Sequence, residues 1–135
     1  VAAFELLADT GGRFINFGSS AGAKGYPGKA HYAASKGAVL AWTRTVAKEW
    51  GHTGVTVNAL APAIATPMYA RTRASMTPEQ LAEHDADLAR TMSVGGRLGD
   101  VDRDLVPVVG FLAGPGSRFV TGQTISVDGG VLLVR

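Results

Sequence analysis

A chain of 135 residues with 46% hydrophobic content can bury one core and is too short for two ordinary domains. Its formal charge is +2, with thirteen Lys and Arg scattered among eleven acids, so no basic run marks a nucleic-acid or anionic-membrane surface. There is no cysteine, which excludes a disulfide framework and a cysteine-based metal site; His31, His52 and His84 stand alone without paired ligand spacing, so no metal is expected.

The longest apolar runs fall well short of the roughly 20 residues a membrane span needs, and the start, Val1-Ala-Ala-Phe-Glu5, has no basic segment. A cytoplasmic protein without a membrane partner is the expectation. The chain lacks an initiator Met and opens in a helical pattern, so it is expected to begin inside a larger domain.

Residues 1–9 are rich in Ala and Leu and end at Asp9-Thr-Gly-Gly12, the pattern of a helix with a glycine stop. Residues 14–17, bounded by Gly11-Gly12 and Gly18, read as a buried strand, which puts Ser19 at a strand end. The stretch 23–29 carries Gly25, Pro27 and Gly28 and is expected to exclude helix, whereas residues 30–50 hold one Gly and no Pro among good helix formers. On that long helix Tyr32 and Lys36 are four apart and share a face. An ammonium beside a phenol favours the phenolate and should lower a pKa of about 10, making Tyr32 a usable acid and base. Val39, Leu40, Trp42, Val46 and Trp50 give the helix more than one packing face, for a sheet and for a partner subunit.

Residues 55–60 read as a second strand stopped by Pro62, and the order helix, strand, helix, strand argues an α/β parallel sheet covered on both faces. From 67 to 96 the pattern loosens, except that Thr77-Pro-Glu-Gln80 is a helix start with Thr as N-cap, Pro at the first position and Gln at the third. Leu81, Leu88 and Met92 fall on one stripe and Glu83, Asp87 and Arg90 on the other, which suits a lid and an ordinary surface helix equally. Gly95-Gly-Arg-Leu-Gly99 is a turn, Asp100 or Asp102 can cap a helix over 101–113 with Pro107 as its irregularity, and Gly114-Pro-Gly116 stops it. Residues 124–127 make a last strand and Asp128-Gly-Gly130 a turn. Asn58 reads as a structural residue of its strand.

The spacing Ser19-x12-Tyr32-x3-Lys36 resembles the catalytic Ser, Tyr and Lys of the short-chain dehydrogenase/reductase family. Two further segments are similar to that family in order: Val57-Asn-Ala-Leu-Ala-Pro62 with Thr66, and Gly122-Gln-Thr-Ile-Ser-Val-Asp-Gly-Gly130. The resemblance implies that residues 1–135 are one partial domain, the C-terminal half of a Rossmann-type doubly wound parallel sheet, with the cofactor-binding glycine motif and the Asn of the family's tetrad upstream of Val1. It implies an NAD- or NADP-dependent oxidoreductase interconverting an alcohol and a ketone or aldehyde, acting on a small molecule and assembling as a homo-oligomer, a dimer or tetramer. Tyr32 would give or take the hydroxyl proton, Lys36 would assist it and hold the nicotinamide ribose, and Ser19 would hydrogen-bond the substrate oxygen. Pro62, Ala63, Ile64 and Thr66 would meet the nicotinamide, with Ala63 standing where the family has Gly, so that a β-carbon lies where backbone approaches cofactor. The small side chains Ala30, Ala33, Ala34, Ala38 and Ala41 would allow close helix packing between subunits. The isolated chain is expected to be inactive, because it lacks a strand-glycine-helix unit for a pyrophosphate and leaves a parallel sheet edge unpaired.

Two other classes compete. Gly18-Ser-Ser-Ala-Gly22 fits the G-x-S-x-G turn of serine hydrolases with Ser20 as nucleophile, although Gly25, Pro27 and Gly28 are expected to forbid the helix that must follow and no histidine lies beyond His84. A non-catalytic protein of the same fold would use the sheet and long helix for association. The Gly- and Lys-rich stretch 22–29 has Ala23 and Ala30 where a Walker A loop needs Gly and Ser or Thr, so it is no phosphate loop.

Overall fold

Short apolar runs between glycines alternate with runs rich in Ala, Leu and Lys, and the chain folds accordingly. The computed structural model describes residues 2–133, so Val1 of the expected first helix lies outside the described residues. The elements in order are α1 (Ala2–Leu7), β1 (Arg13–Phe17), α2 (Ser20–Lys24), α3 (Ala30–Trp50), β2 (Thr56–Pro62), α4 (Pro67–Ala74), α5 (Pro78–Thr91), α6 (Val106–Ala113) and β3 (Thr124–Val127). The three strands form one parallel sheet in the order β1-β2-β3, with Phe14 opposite Val57 and Leu60 opposite Ile125. This is the α/β fold with a parallel sheet that the element order implies.

β2 is the centre. Every residue from Thr56 to Ala61 is buried, as the near-continuous apolar run of an interior parallel strand requires. Its one amide, Asn58, is 1% exposed. Asn58 Nδ2 donates to the Val120 carbonyl at 2.8 Å and Oδ1 accepts from the Gln123 N–H at 3.0 Å, tying β2 to the segment that leads into β3. α3 lies on this sheet through Val46, Ala47 and Trp50, which cluster with Val55 and Val57, and Phe4, Leu7 and Phe14 pack against that cluster. Trp50 stacks on Phe4 at 4.8 Å and meets Phe14 and Trp42 edge-on, each at 5.7 Å. Trp42 is 36% exposed and lies 5.5 Å from Phe14, so it extends this same cluster to the surface.

The structure departs from the sequence-based expectation at four places. Residues 23 and 24, expected in a loop, belong to α2: extended Ser19 accepts from the Ala21 N–H through its Oγ, which starts a helix at Ser20, and Gly25 at φ 79° ends it. Gly25, Pro27 and Gly28 therefore stop a helix rather than preclude one. α4 was hidden because its side chains show no apolar stripe; its start is the same Thr-Pro signal as α5, with Thr66 Oγ1 accepting from the Tyr69 N–H. β2 continues through Pro62, whose missing N–H costs nothing at the end of a strand. The helix expected over 101–113 opens with a π turn over Val101–Leu105, capped by Asp100 and not Asp102, so that Pro107 falls in the first turn of α6 where its N–H is not needed. α5 begins with the expected reciprocal cap, Gln80 N–H to Thr77 Oγ1 and Thr77 N–H to Gln80 Oε1.

Trp50→Ala should lower unfolding free energy by about 3–5 kcal/mol, because the cavity would open where α1, β1 and α3 meet. Denaturant titration checks it, and a loss below about 1 kcal/mol would mean that the aromatic cluster does not hold the sheet to α3.

Candidate active site

The strand ends gather the residues that the sequence singles out. β1 closes with the Gly18 N–H bonded to the Leu60 carbonyl at 2.7 Å, which delivers Ser19 to the head of α2. Across from it, Lys36 Nζ donates to the Phe17 carbonyl at 2.8 Å and lies 5.9 Å from the centre of the Tyr32 ring. The four-residue spacing on α3 thus puts the two side chains on one face, with the ammonium at the outer limit of a cation–π contact with the ring. Tyr32 is 40% exposed, open to a molecule approaching from solvent, while Lys36 is half-buried. Asn16 Nδ2 donates to Thr43 Oγ1, which donates to the Val39 carbonyl, so β1 is also pinned to α3 two turns beyond Lys36.

The second group lies where β2 ends. The Ala63 N–H bonds the Val127 carbonyl at 2.9 Å, the Gly99 N–H bonds the Ala63 carbonyl at 3.0 Å, and the Ala65 N–H bonds the Gly99 carbonyl at 2.9 Å. Gly99 so pairs with Ile64 in a one-residue parallel bridge that leaves the N–H and C=O of Ile64 itself out of the pairing. Among the described residues no non-glycine has positive φ, so Ala63 holds the place of the family's Gly in ordinary backbone. Thr66 Oγ1 is an acceptor for the α4 cap. A cavity of about 460 Å³ opens beside Ala63 and Ile64, lined also by Leu98, Asp104 and Val127; Ser19, Tyr32 and Lys36 do not line it. At its rim Asp104 accepts from Arg103 Nε and from the Asp100 N–H, and the Arg103 guanidinium, with that N–H second, holds its carboxyl down to about 2.

A polar cluster between α4 and α5 was not legible in the sequence. Arg73 grips Asp85 with both guanidinium nitrogens, and the Tyr69 hydroxyl is 2.8 Å from His84 Nε2. Tyr69 and Arg73 are four apart on α4, and His84 and Asp85 adjoin on α5; the signal was there but needed α4 to be recognised. His84 is thereby engaged away from Ser20. A helix does follow the Gly18-Ser-Ser-Ala-Gly22 turn, so that objection to a serine hydrolase falls.

Among the described residues no helix is long and apolar enough to cross a membrane. The parallel α/β architecture, with Ser19 following β1 and Lys36 bonded to its last residue, is that of part of a Rossmann-type sheet. Residues 1–132 match the family model described as Enoyl-(Acyl carrier protein) reductase, and the chain belongs to the short-chain dehydrogenase/reductase family. It is 42% identical over 124 residues to the 3-oxoacyl-[acyl-carrier-protein] reductase FabG of Vibrio cholerae, covering 91% of this chain and 47% of that protein. The crystal structure of a 3-oxoacyl-[acyl-carrier protein] reductase with bound NAD from Brucella melitensis superposes with a TM-score of 0.70 at 34% identity, over 89% of this chain and 40% of that one. Actinorhodin polyketide ketoreductase (F189W) with NADPH gives a TM-score of 0.77 at 34% identity, over 90% of this chain and 47% of that one. The chain spans about half the length of the curated relatives it matches.

The Arg73 guanidinium beside it holds the Asp85 carboxyl below the ordinary aspartate value. A depressed folded-state pKa contributes stability that is fully present above the ordinary value near 3.8 and is lost as pH falls through the lower folded value. Protection of the α4 amides, relative to their intrinsic exchange rate at each pH, should therefore fall selectively in acid, and Arg73→Ala should lower it in the same way at neutral pH; equal protection in the variant would show that the pair does not hold α4 to α5.

Proposed function

We propose that the chain is the proton-transfer half of an NAD- or NADP-dependent oxidoreductase that interconverts an alcohol and a ketone or aldehyde. The observation that carries this reading is the junction at the end of β1, where the Lys36 ammonium donates to the carbonyl of Phe17, two residues before Ser19 in the chain, and lies 5.9 Å from the centre of the Tyr32 ring. Tyr32 gives its proton to a carbonyl oxygen in reduction and takes the hydroxyl proton in oxidation. Ser19 Oγ accepts from the Ala21 N–H and keeps its own O–H to donate to the substrate oxygen. Lys36 commits one of three N–H groups to Phe17 and keeps two for the ribose of a nicotinamide nucleotide.

A nicotinamide dinucleotide supplies or accepts the hydride when bound. The residues present fit its nicotinamide end: Pro62, Ala63, Ile64 and Thr66 follow one another at the end of β2, and the Ile64 peptide is free to bond an amide because its neighbours make the bridge to Gly99. The pyrophosphate end needs a glycine-rich strand-to-helix turn, which this sequence does not contain. Solved relatives with NAD and with NADPH support a nicotinamide cofactor of either kind. The partial domain is read as completed by strands on the outer side of β1, and a homo-oligomer is read from α3, where Ala34, Ala38, Ala41 and Thr45 form an exposed small-residue stripe.

In a full-length protein, Tyr32→Phe should cut turnover by about 10²–10⁴-fold with cofactor affinity nearly intact, since only the proton donor is lost. Near-normal turnover would overturn the reading. Residues 1–135 alone should show no saturable binding of NADH or NADPH by calorimetry; tight binding by a monodisperse fragment would place the cofactor elsewhere.

A further inference from the structure

We propose that Gly22 is a positioning residue for the catalytic set: its bare backbone contact with α3 sets where Ser19 stands relative to Tyr32 and Lys36. The proposal rests on the reading of those three as the residues that act on substrate. α2 is five residues long, and the stretch from Gly25 to Lys29 that connects it to α3 is exposed throughout, so the connection does not hold it. What holds it is contact. A β-carbon at Gly22 would lie 2.5 Å from the Lys36 carbonyl carbon, 2.6 Å from the Gly37 nitrogen and 2.8 Å from the Lys36 oxygen. These are backbone atoms of a 21-residue helix and have no rotamer by which to move aside. The contact is reciprocal, since a β-carbon at Gly37 would lie 3.3 Å from the Gly22 oxygen.

Gly22 is joined to the serine as directly as to the lysine. Its N–H donates to the Ser19 carbonyl at 3.0 Å, and Ser19 Oγ caps the same turn through Ala21. One rigid turn therefore runs from Ser19 to Gly22, and Gly22 lies on the peptide that carries Lys36. Any side chain at position 22 must push that turn away from α3 by roughly 1 Å, and misplacement on that scale costs about 10²-fold in rate. The last glycine of the G-x-S-x-G pattern is thus explained by helix approach and not by a nucleophile turn.

The test uses the full-length protein, with Tyr32→Phe as reference, and measures kcat, KM for the cofactor and the crystal structure of each variant. Gly22→Ala should lower kcat by about 10²-fold while the cofactor KM changes little, and Ser19 should move away from Lys36 in the crystal. Should Gly22→Ala not fold, Gly37→Val and Arg44→Val decide: both put a valine on α3, the first against the Gly22 oxygen and the second at an exposed position two turns further along. Loss of kcat in Gly37→Val with near-normal kcat in Arg44→Val supports the proposal; equal kcat in the two, or an unmoved Ser19, overturns it. The failures are distinguishable: turnover retained in Tyr32→Phe defeats the catalytic reading and this proposal with it, whereas a dead Tyr32→Phe beside a normal Gly22→Ala defeats this proposal alone.

Discussion

The burial of β2 from Thr56 to Ala61 is the constraint from which the rest of the molecule follows. A strand buried over six consecutive residues must have a neighbour on each edge and cover on its faces, because its peptide groups have no water to bond. β1 and β3 supply the edges in parallel register, and parallel pairing sends every connection across a face, so α3 and the long excursion through α4, α5 and α6 are consequences of that geometry. The same parallelism brings all three strands to an end on one side. There the chain leaves the sheet at Gly18, Ala63 and Asp128, and the residues proposed for chemistry sit on the first two of these departures.

Asp128 shows how the third departure is held. It is buried, and its carboxylate accepts from the Gly130 and Leu132 N–H groups, so the charge is met by peptide dipoles from its own turn. That turn receives the Val94 N–H on the Gly129 carbonyl and rests near Met92 Sδ, which anchors the end of the α5 segment to the sheet. Met92, read in sequence as the last member of an apolar stripe, is buried for this reason, while Leu81 and Leu88 on the same stripe are only half-buried.

What could be read from the sequence divides along range of interaction. The strands, α3 and the α5 cap were legible because their signals are local: glycine bounds, unbroken helix formers, Thr-Pro-x-Gln. α2 was not, because a single turn is decided by whether Ser19 is extended and free to cap, and by a contact with Gly37 fifteen residues on. α4 was lost because it buries no stripe, and the Arg73–Asp85 and Tyr69–His84 pairs depend on two helices folding back on each other. The spacing of Ser19, Tyr32 and Lys36 was visible, but the bond from Lys36 to the Phe17 carbonyl was not, since no pattern in a helix names a peptide oxygen in a strand.

The residues proposed to act share a mode of attachment that bears on what they can do. Ser19 and Thr66 each accept a helix-cap N–H, which uses a lone pair and leaves the hydroxyl proton uncommitted. Lys36 gives one N–H to the scaffold and retains two, and Ile64 is held by the bonds of its neighbours with its own peptide outside them. In each case the group is oriented by bonds that do not exhaust its donors. A serine held this way can donate its hydroxyl proton to an oxygen.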